Sequence, residues 1–387
     1  MSVMIGVSAT ASPAAAAEID PAEPEPGRAR LRVSVIICCH NSASRLDPTL
    51  KHLAAQDGTA AGQWEVVLVD NGSTDGTAAR AKALWQANGA PAELRIVSEP
   101  KLGLIHARRA GIANSRHEIL TFVDDDNWVC PRWCATVLAL MEVHPEVGVI
   151  GGHGEAAFEP GQTVPGWFVA IRHGYATGRQ AARSGMIDAA MTRFYGAGLT
   201  IRRVALDRLL RIGFSPLCTG RIGARLTAGD DSELCYALAL QGWRFWYEDS
   251  LRFAHFIPPS RLSVSYARNL FRGLGVTSAI EDYYFRMAPR RWPHDPVARL
   301  KRFEILRFAN VLLNLLRHTL RALRSVSGSS ARTQAEIEAS FFAGRLAGMV
   351  DCRRNRRSIV AHIAAWANRV SAADRRESNL RGVPAEK

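Results

Sequence analysis

Apolar runs of strand length alternate with segments of helical spacing over the first third of the chain. Leu31-Arg-Val-Ser-Val-Ile-Ile-Cys38 is β-branched and apolar and stops at His40-Asn41-Ser42, the composition of a buried parallel strand that ends in a loop. Asp47 to Gln56 then reads as a helix. A second strand, Trp64 to Asp70, runs into Asn71-Gly-Ser-Thr-Asp-Gly76, which is rich in turn formers and helix caps, and Thr77 to Asn88 follows with helical spacing. Glu93 to Val97, Gly103 to Ser115 and Glu118 to Val123 continue as strand, helix and strand. Val147 to Gly152, Thr200 to Arg202 and Trp243 to Tyr247 read as further strands. Strands and helices alternating at this spacing predict an α/β fold with helices on both faces of a largely parallel sheet. The pattern changes from Arg299 to Val326, where Leu300, Phe303, Leu306, Leu313, Leu316, Leu320 and Leu323 form an apolar stripe at helical spacing, flanked by Arg302, Arg317, Arg321 and Arg324.

Ligands of such sheets bind at the carboxyl ends of the strands. That rule gathers Cys38 to Asn41, Asp70 and Asp124-Asp125-Asp126 on one rim.

The 387 residues suffice for about two structural units. The formal net charge of +13 is unevenly placed: residues 286–387 hold 21 Lys+Arg against 8 Asp+Glu, and the rest of the chain balances at 28 against 28. A basic last quarter implies an anionic neighbour, such as a membrane headgroup layer, a nucleic acid or an acidic substrate, or else a solvated helix face. Seven cysteines without regular spacing suit free thiols in a reducing compartment, which points to the cytoplasm. Cys130 and Cys134 are spaced as if on one helix, but no second Cys/His pair accompanies them, which favours packing over zinc. The first thirty residues carry neither a basic leader nor a sustained apolar core, so a disordered Ala/Pro-rich tail is expected. No run of 18 apolar residues occurs, so no spanning helix is expected.

Candidate chemistry centres on the acidic run. Carboxylates at a strand end can hold a hard cation such as Mg²⁺ or Mn²⁺ and leave room for substrate phosphates, and Asp124 and Asp126 alternate so that both can point one way. A capping loop for the next helix is the competing reading. An oxidoreductase would need G-x-G-x-x-G after the first strand, and a sugar nucleotidyltransferase a basic glycine-rich loop there; Cys38-Cys-His-Asn-Ser-Ala is neither. A non-enzymatic membrane or nucleic-acid binder accounts for the basic C-terminal segment but not for acidic clusters at strand ends, and nucleic acid is not expected as a partner.

Val33-Ser-Val-Ile-Ile-Cys-Cys-His-Asn41, Val66-Val-Leu-Val-Asp-Asn-Gly-Ser-Thr-Asp75, Gly103 to Ser115 and Phe122-Val-Asp-Asp-Asp-Asn127 resemble, in order and spacing, the family 2 glycosyltransferases with a GT-A fold. Gly220-Arg-Ile-Gly223, Gly229-Asp-Asp-Ser-Glu-Leu234, Gly242-Trp-Arg-Phe-Trp-Tyr247 and His255-Phe-Ile-Pro-Pro-Ser-Arg-Leu262 resemble the subgroup that includes the hormogonium polysaccharide glycosyltransferase HpsE. The resemblance covers residues 31–285. It implies a Rossmann-like mixed sheet flanked by helices, the GT-A nucleotide-diphospho-sugar transferase fold, with 286–387 as a basic, mainly helical extension. It further implies an inverting, metal-dependent transfer of sugar from a nucleotide-sugar, of UDP type, to a glycan or lipid-linked acceptor in polysaccharide biosynthesis.

Carried over by position, the resemblance assigns Asp70 to the uracil, Asp124 to the ribose, and Asp126 with His255 to a divalent cation. Arg108 falls near the base or phosphates, and Asp231 at the catalytic base, which takes the acceptor hydroxyl proton. Asp125 is grouped with the nucleotide-sugar residues without a specific role. Relatives often have Pro-Thr-Tyr where this chain has Cys38-Cys39-His40, so base stacking falls to His40, with Cys38 and Asn41 beside it. Asp230 stands where a glutamate is commoner, and Ala237 where an arginine is frequent. Residues 220–229 suit a loop that closes over the donor. The basic segment 286–387 suits a peripheral protein on the inner face of an anionic membrane.

Overall fold

The computed structural model describes residues 30–60, 62–188, 193–218, 229–287 and 304–380. The N-terminal tail before Arg30, the loop 220–228, and Leu300 and Phe303 of the apolar stripe lie outside the described residues.

Nine strands form one sheet among the described residues. They are β1 (Val33–Cys39), β2 (Trp64–Asp70), β3 (Glu93–Ser98), β4 (Ile119–Phe122), β5 (Asn127–Val129), β6 (Val147–Ala157), β7 (Gly185–Ile187), β8 (Thr200–Arg202) and β9 (Arg244–Phe256). Their order is β3-β2-β1-β4-β8-β6-β9-β5, with β7 also paired to β9. The first four strands are parallel; β8 runs antiparallel to both β4 and β6, so the sheet is mixed.

Side-chain alternation explains why β1 reads as continuously apolar. Val33, Val35 and Ile37 enter one core and Ile36 the other, and all four are buried. Both faces are covered by helices: α1 (Leu46–Ala54), α2 (Thr77–Ala87), α3 (Leu104–Asn114), α4 (Trp133–Val143), the single-turn α5 (Phe168–Ile171), α6 (Arg203–Arg211) and α7 (Asp230–Leu240). A strand buried on both faces loses the polar alternation of a half-exposed one, which is how β1, β2 and β4 are recognisable in the sequence. Register then sets the rim: Cys39 pairs with Asp70 and Asp70 with Ser98, so the β1 and β2 loops leave the same edge, beside the end of β4.

The three-residue strands β5 and β7 are not among those read from the sequence, whereas β8, equally short, is. Cys130 also departs from expectation: it precedes α4 in an extended stretch, while Cys134 is within the helix and buried.

Four long helices complete the C-terminal part: α8 (Val264–Met287), α9 (Glu304–Arg324), α10 (Ser330–Arg354) and α11 (Arg356–Leu380). The helix α8 crosses residue 285 without a break, and α10 packs along it. Their axes approach closely because Gly275 and Gly344 carry no side chain; a methyl at either would overlap the carbonyl oxygen of Phe341 or Arg272. Asp282 of α8, 2% exposed, accepts from Arg345 of α10 at 3.0 Å and pairs with Arg307 of α9. Removing Asp282 would leave the Arg307 and Arg345 guanidinium groups facing each other without compensation, at a cost of about 3–5 kcal/mol. No described helix is long and apolar enough to cross a membrane.

Candidate functional site

The β1, β2 and β4 loops, α3, the N-terminus of α7, the end of β9 and the α8/α10 pair enclose one cavity of about 650 Å³. Cys38, His40, Arg108, Asp124, Asp125, Asp126, Asp231 and His255 all line it. Asn41 and Asp70 stand on the rim just outside. Asn41 has a left-handed backbone (φ 50°) and its Oδ1 accepts from the Thr74 amide at 2.9 Å. Asp70 accepts from the Ser73 amide at 3.1 Å, and the His40 ring meets the Asn71 carbonyl at 2.8 Å. These contacts tie the first two rim loops together.

The acidic run is a turn rather than an extended segment: the Asn127 amide donates to the Asp124 carbonyl at 3.0 Å. Its three carboxylates have different surroundings. Asp125 accepts from Arg45 at 2.6 Å and from the Ser42 hydroxyl, while its carbonyl accepts from Thr49 at 2.9 Å, so it fastens the turn to α1. Burial and the neighbouring Asp126 raise its pKa against the pull of Arg45. Asp124 keeps partial exposure on the cavity wall.

Asp126 is brought to His255 by strand pairing. Asn127 on β5 is opposite His255 on β9, and the Phe256 amide donates to the Asp126 carbonyl at 2.9 Å. The His255 Nδ1 donates to the Tyr175 carbonyl at 2.7 Å, which turns Nε2 toward Asp126, 3.5 Å from its Oδ1. Between them lies Arg261 Nη1, 3.0 Å from Asp126 Oδ2 and 3.3 Å from His255 Nε2. A guanidinium thus occupies the gap that two divalent-cation ligands would share. Among the described residues no group of three His, Cys, Asp or Glu side chains is placed to hold a metal ion. A carboxylate oxygen and an imidazole nitrogen 3.5 Å apart nevertheless suit a cation that takes its other ligands from substrate phosphates, Mn²⁺ better than Mg²⁺ given the nitrogen donor.

Across the cavity, Asp230 and Asp231 begin α7 after Gly229, whose φ is 108°. A Cβ at Gly229 would meet Thr277 Cγ2 at 2.5 Å, so glycine is needed for both conformation and space. Asp231 Oδ2 accepts from the Gly196 amide at 2.7 Å and Oδ1 from the Ser232 amide at 2.8 Å. A Cβ at Gly196 would come within 2.5 Å of Arg108 Nη2 and 3.2 Å of Asp231 Oδ2, so a side chain there would have to displace the end of Arg108. Arg108 forms an ion pair with Asp230, which braces α3 against α7, and lines the cavity together with Cys38 and Asp124 of the rim loops. Burial disfavours its charge, but Asp230, Asp231 and Asp124 more than compensate, so its pKa is raised. Burial, then repulsion from Asp230, raises the Asp231 pKa to about 6, opposed by Arg108 and the two amides. Such a carboxylate is ionised at neutral pH yet basic enough to accept a proton.

Glu233, one turn on, is buried and accepts from the Leu217 and Cys218 amides at 2.7 Å each and from the Tyr284 hydroxyl, linking α7 to α8. Cys38 lines the cavity, but burial pushes its thiol up to about 12, which leaves it protonated and unreactive.

Arg45, Arg261, Gly196 and the Tyr175 carbonyl were not identified by motif. Arg261 had a sequence signal, six residues after His255 in a Pro-Pro turn. Gly196 had none, because its role depends on a through-space approach to α7.

Residues 34–210 match the profile described as Glycosyl transferase family 2. Glycosyltransferase AglE of Haloferax volcanii is 32% identical over 132 residues, 34% of this chain and 42% of that protein. The Dodecaprenyl-phosphate galacturonate synthase of Rhizobium johnstonii is 31% identical over 113 residues, 29% of this chain and 33% of that protein. The chain thus spans between a third and about two fifths of the length of these curated relatives. Among solved structures, the mannosyltransferase PcManGT from Pyrobaculum calidifontis, in complex with GDP-Man and Mn²⁺, aligns with a TM-score of 0.51 at 20% identity. The alignment covers 85% of this chain and 90% of that one. The fold is that of the GT-A glycosyltransferases.

Proposed function

We propose that the chain is an inverting glycosyltransferase that moves a sugar from a nucleotide-sugar, of UDP type, to a hydroxyl of a glycan or lipid-linked acceptor. The observation that carries this reading is the place of Asp231: held by two backbone amides at the start of α7, it lines the same cavity as the rim carboxylates Asp124, Asp125 and Asp126, and burial with Asp230 raises its pKa to about 6. In the proposed step Asp231 accepts the proton of the acceptor hydroxyl while that oxygen bonds to the anomeric carbon. The bond from that carbon to the phosphate oxygen breaks, and the nucleoside diphosphate leaves with the bonding pair. The Gly196 and Ser232 amides hold the carboxylate, and the Arg108–Asp230 pair fixes the start of the helix. Asp124 and the His40–Asn41–Asp70 rim would receive the nucleotide. Asp126 and His255 would hold a divalent cation, which when bound supplies positive charge for the departing diphosphate.

The family 2 profile match, the names of the curated relatives and the Mn²⁺-bound neighbour of like fold support the reading. The C-terminal motifs' likeness to the HpsE subgroup favours polysaccharide assembly. The basic segment 286–387 would bring the protein peripherally against the anionic cytoplasmic face of a membrane. In a labelled-sugar assay Asp231→Asn should bind donor as the wild type does and lose transfer by about 10²–10⁴-fold; undiminished transfer would remove Asp231 from the mechanism.

A further inference from the structure

The helix α9 is built the wrong way round for a helix that ends at water. Its inner side packs on α10 through Val311 and Ala322, 2% and 7% exposed. Its outer side carries Ile305, Leu313, Leu316, Leu320 and Leu323, which are 84%, 65%, 51%, 47% and 68% exposed. Isolated exposed leucines are ordinary, but a continuous face of them along one helix marks a contact surface. Arg317, Arg321 and Arg324, all exposed, lie along one edge of this face. From Ile305 to Ala335 the sequence holds five arginines and no acidic residue.

We propose that the outer face of α9 is the surface by which the protein beds into an anionic lipid bilayer, with its leucines among the acyl chains and its arginines at the headgroups. Charge complementarity selects this occupant: a second copy would set Arg317, Arg321 and Arg324 against the same arginines, where Glu338 of α10 is already engaged by Arg321 at 3.7 Å and by His318, and a nucleic acid offers no apolar layer for the leucines. The three-layer order gives the contact a use. The helix α9 packs on α10, and α10 and α8 supply Leu270, Phe271, Leu274 and Phe341 to an apolar wall of the cavity. Membrane contact at α9 would hold that wall close to the bilayer that supplies a lipid-linked acceptor. This use of the contact rests on the function proposed above; the contact itself does not.

The test is flotation of the full chain with phosphatidylcholine vesicles, with and without phosphatidylglycerol. The wild type floats with the anionic vesicles and is released by salt. Leu313→Glu with Leu320→Glu abolishes binding, and Arg317→Gln with Arg324→Gln weakens it roughly tenfold or more. All variants keep the wild-type melting temperature, because these side chains are exposed. Failure of the wild type to float, binding indifferent to the Leu→Glu pair, or a wild-type dimer that those substitutions dissolve would each overturn the proposal. Hydrolysis of a soluble nucleotide-sugar, measured in parallel, separates the two readings. Lost flotation with retained hydrolysis is expected of the leucine variants, whereas absent hydrolysis in a wild type that still floats would fault only the proposed function.

Discussion

Replacing Asp231 by asparagine should change the pH dependence of stability as well as the chemistry. The carboxyl has its pKa raised from the ordinary 3.8 to about 6, first by burial and then by Asp230. The folded protein therefore holds this proton more tightly than the unfolded chain does. The contribution to stability is largest below the unfolded value and is lost as pH rises through 6. Integrated between about pH 4.5 and about pH 7.5, the shift lowers stability by about 2 kcal/mol. For a chain of this size that corresponds to about 3 °C in melting temperature. Asparagine cannot ionise and should lose that slope. It also turns an amide NH₂ toward either the Gly196 or the Ser232 amide, at a pH-independent cost of about 1–3 kcal/mol for the unsatisfied donor. The informative quantity is thus the difference between wild-type and variant stabilities as a function of pH, measured by denaturant and thermal unfolding in matched buffers. Relative to the wild type, Asp231→Asn should gain as pH rises, with the change centred between about pH 4 and 6. Parallel curves would refute the claim that this carboxylate is held in an environment that disfavours its charge.

Two further outcomes test neighbouring parts of the site. Arg261→Gln removes the guanidinium between Asp126 and His255, so Mn²⁺ affinity of the nucleotide-free protein, read by paramagnetic resonance titration, should rise by about tenfold or more; unchanged or weaker binding would show that Arg261 does not stand in the cation's place. Gly229→Ala forces a Cβ onto Thr277 at a φ of 108°, which should cost at least about 1–3 kcal/mol and misplace Asp231, giving a lower melting temperature together with reduced transfer.

The doubly buried strands were legible because burial on both faces writes an unbroken apolar run: β2 has the bounds read from sequence, Trp64–Asp70, and β1 and β4 differ by one or two residues at their ends. The β9 strand was read only to Tyr247 but runs to Phe256, since Glu248-Asp249-Ser250 looks like a turn and is a local irregularity against β6. That extension matters, because it puts His255 in register with Asn127. The acidic triplet could be found by motif, whereas the unequal work of its members could not: Ser42 and Arg45, more than 75 residues away in sequence, take up Asp125. The C-terminal stripe was legible as a helix face, but the residues by which that helix packs, Val311 and Ala322, lie outside the stripe. Val311 and Ala322 pack on α10, while the leucines face outward.

The central claim is that the cavity takes a nucleotide-sugar at a metal-assisted rim. It is tested most directly by thermal protection of the wild type and Asp126→Ala with UDP-, GDP- and dTDP-sugars, each with and without Mn²⁺. The account predicts that a UDP-sugar raises the wild-type melting temperature, more so with Mn²⁺, and that Asp126→Ala loses the Mn²⁺-dependent part. A wild type indifferent to every nucleotide-sugar, or a Mn²⁺ effect undiminished in Asp126→Ala, would contradict it.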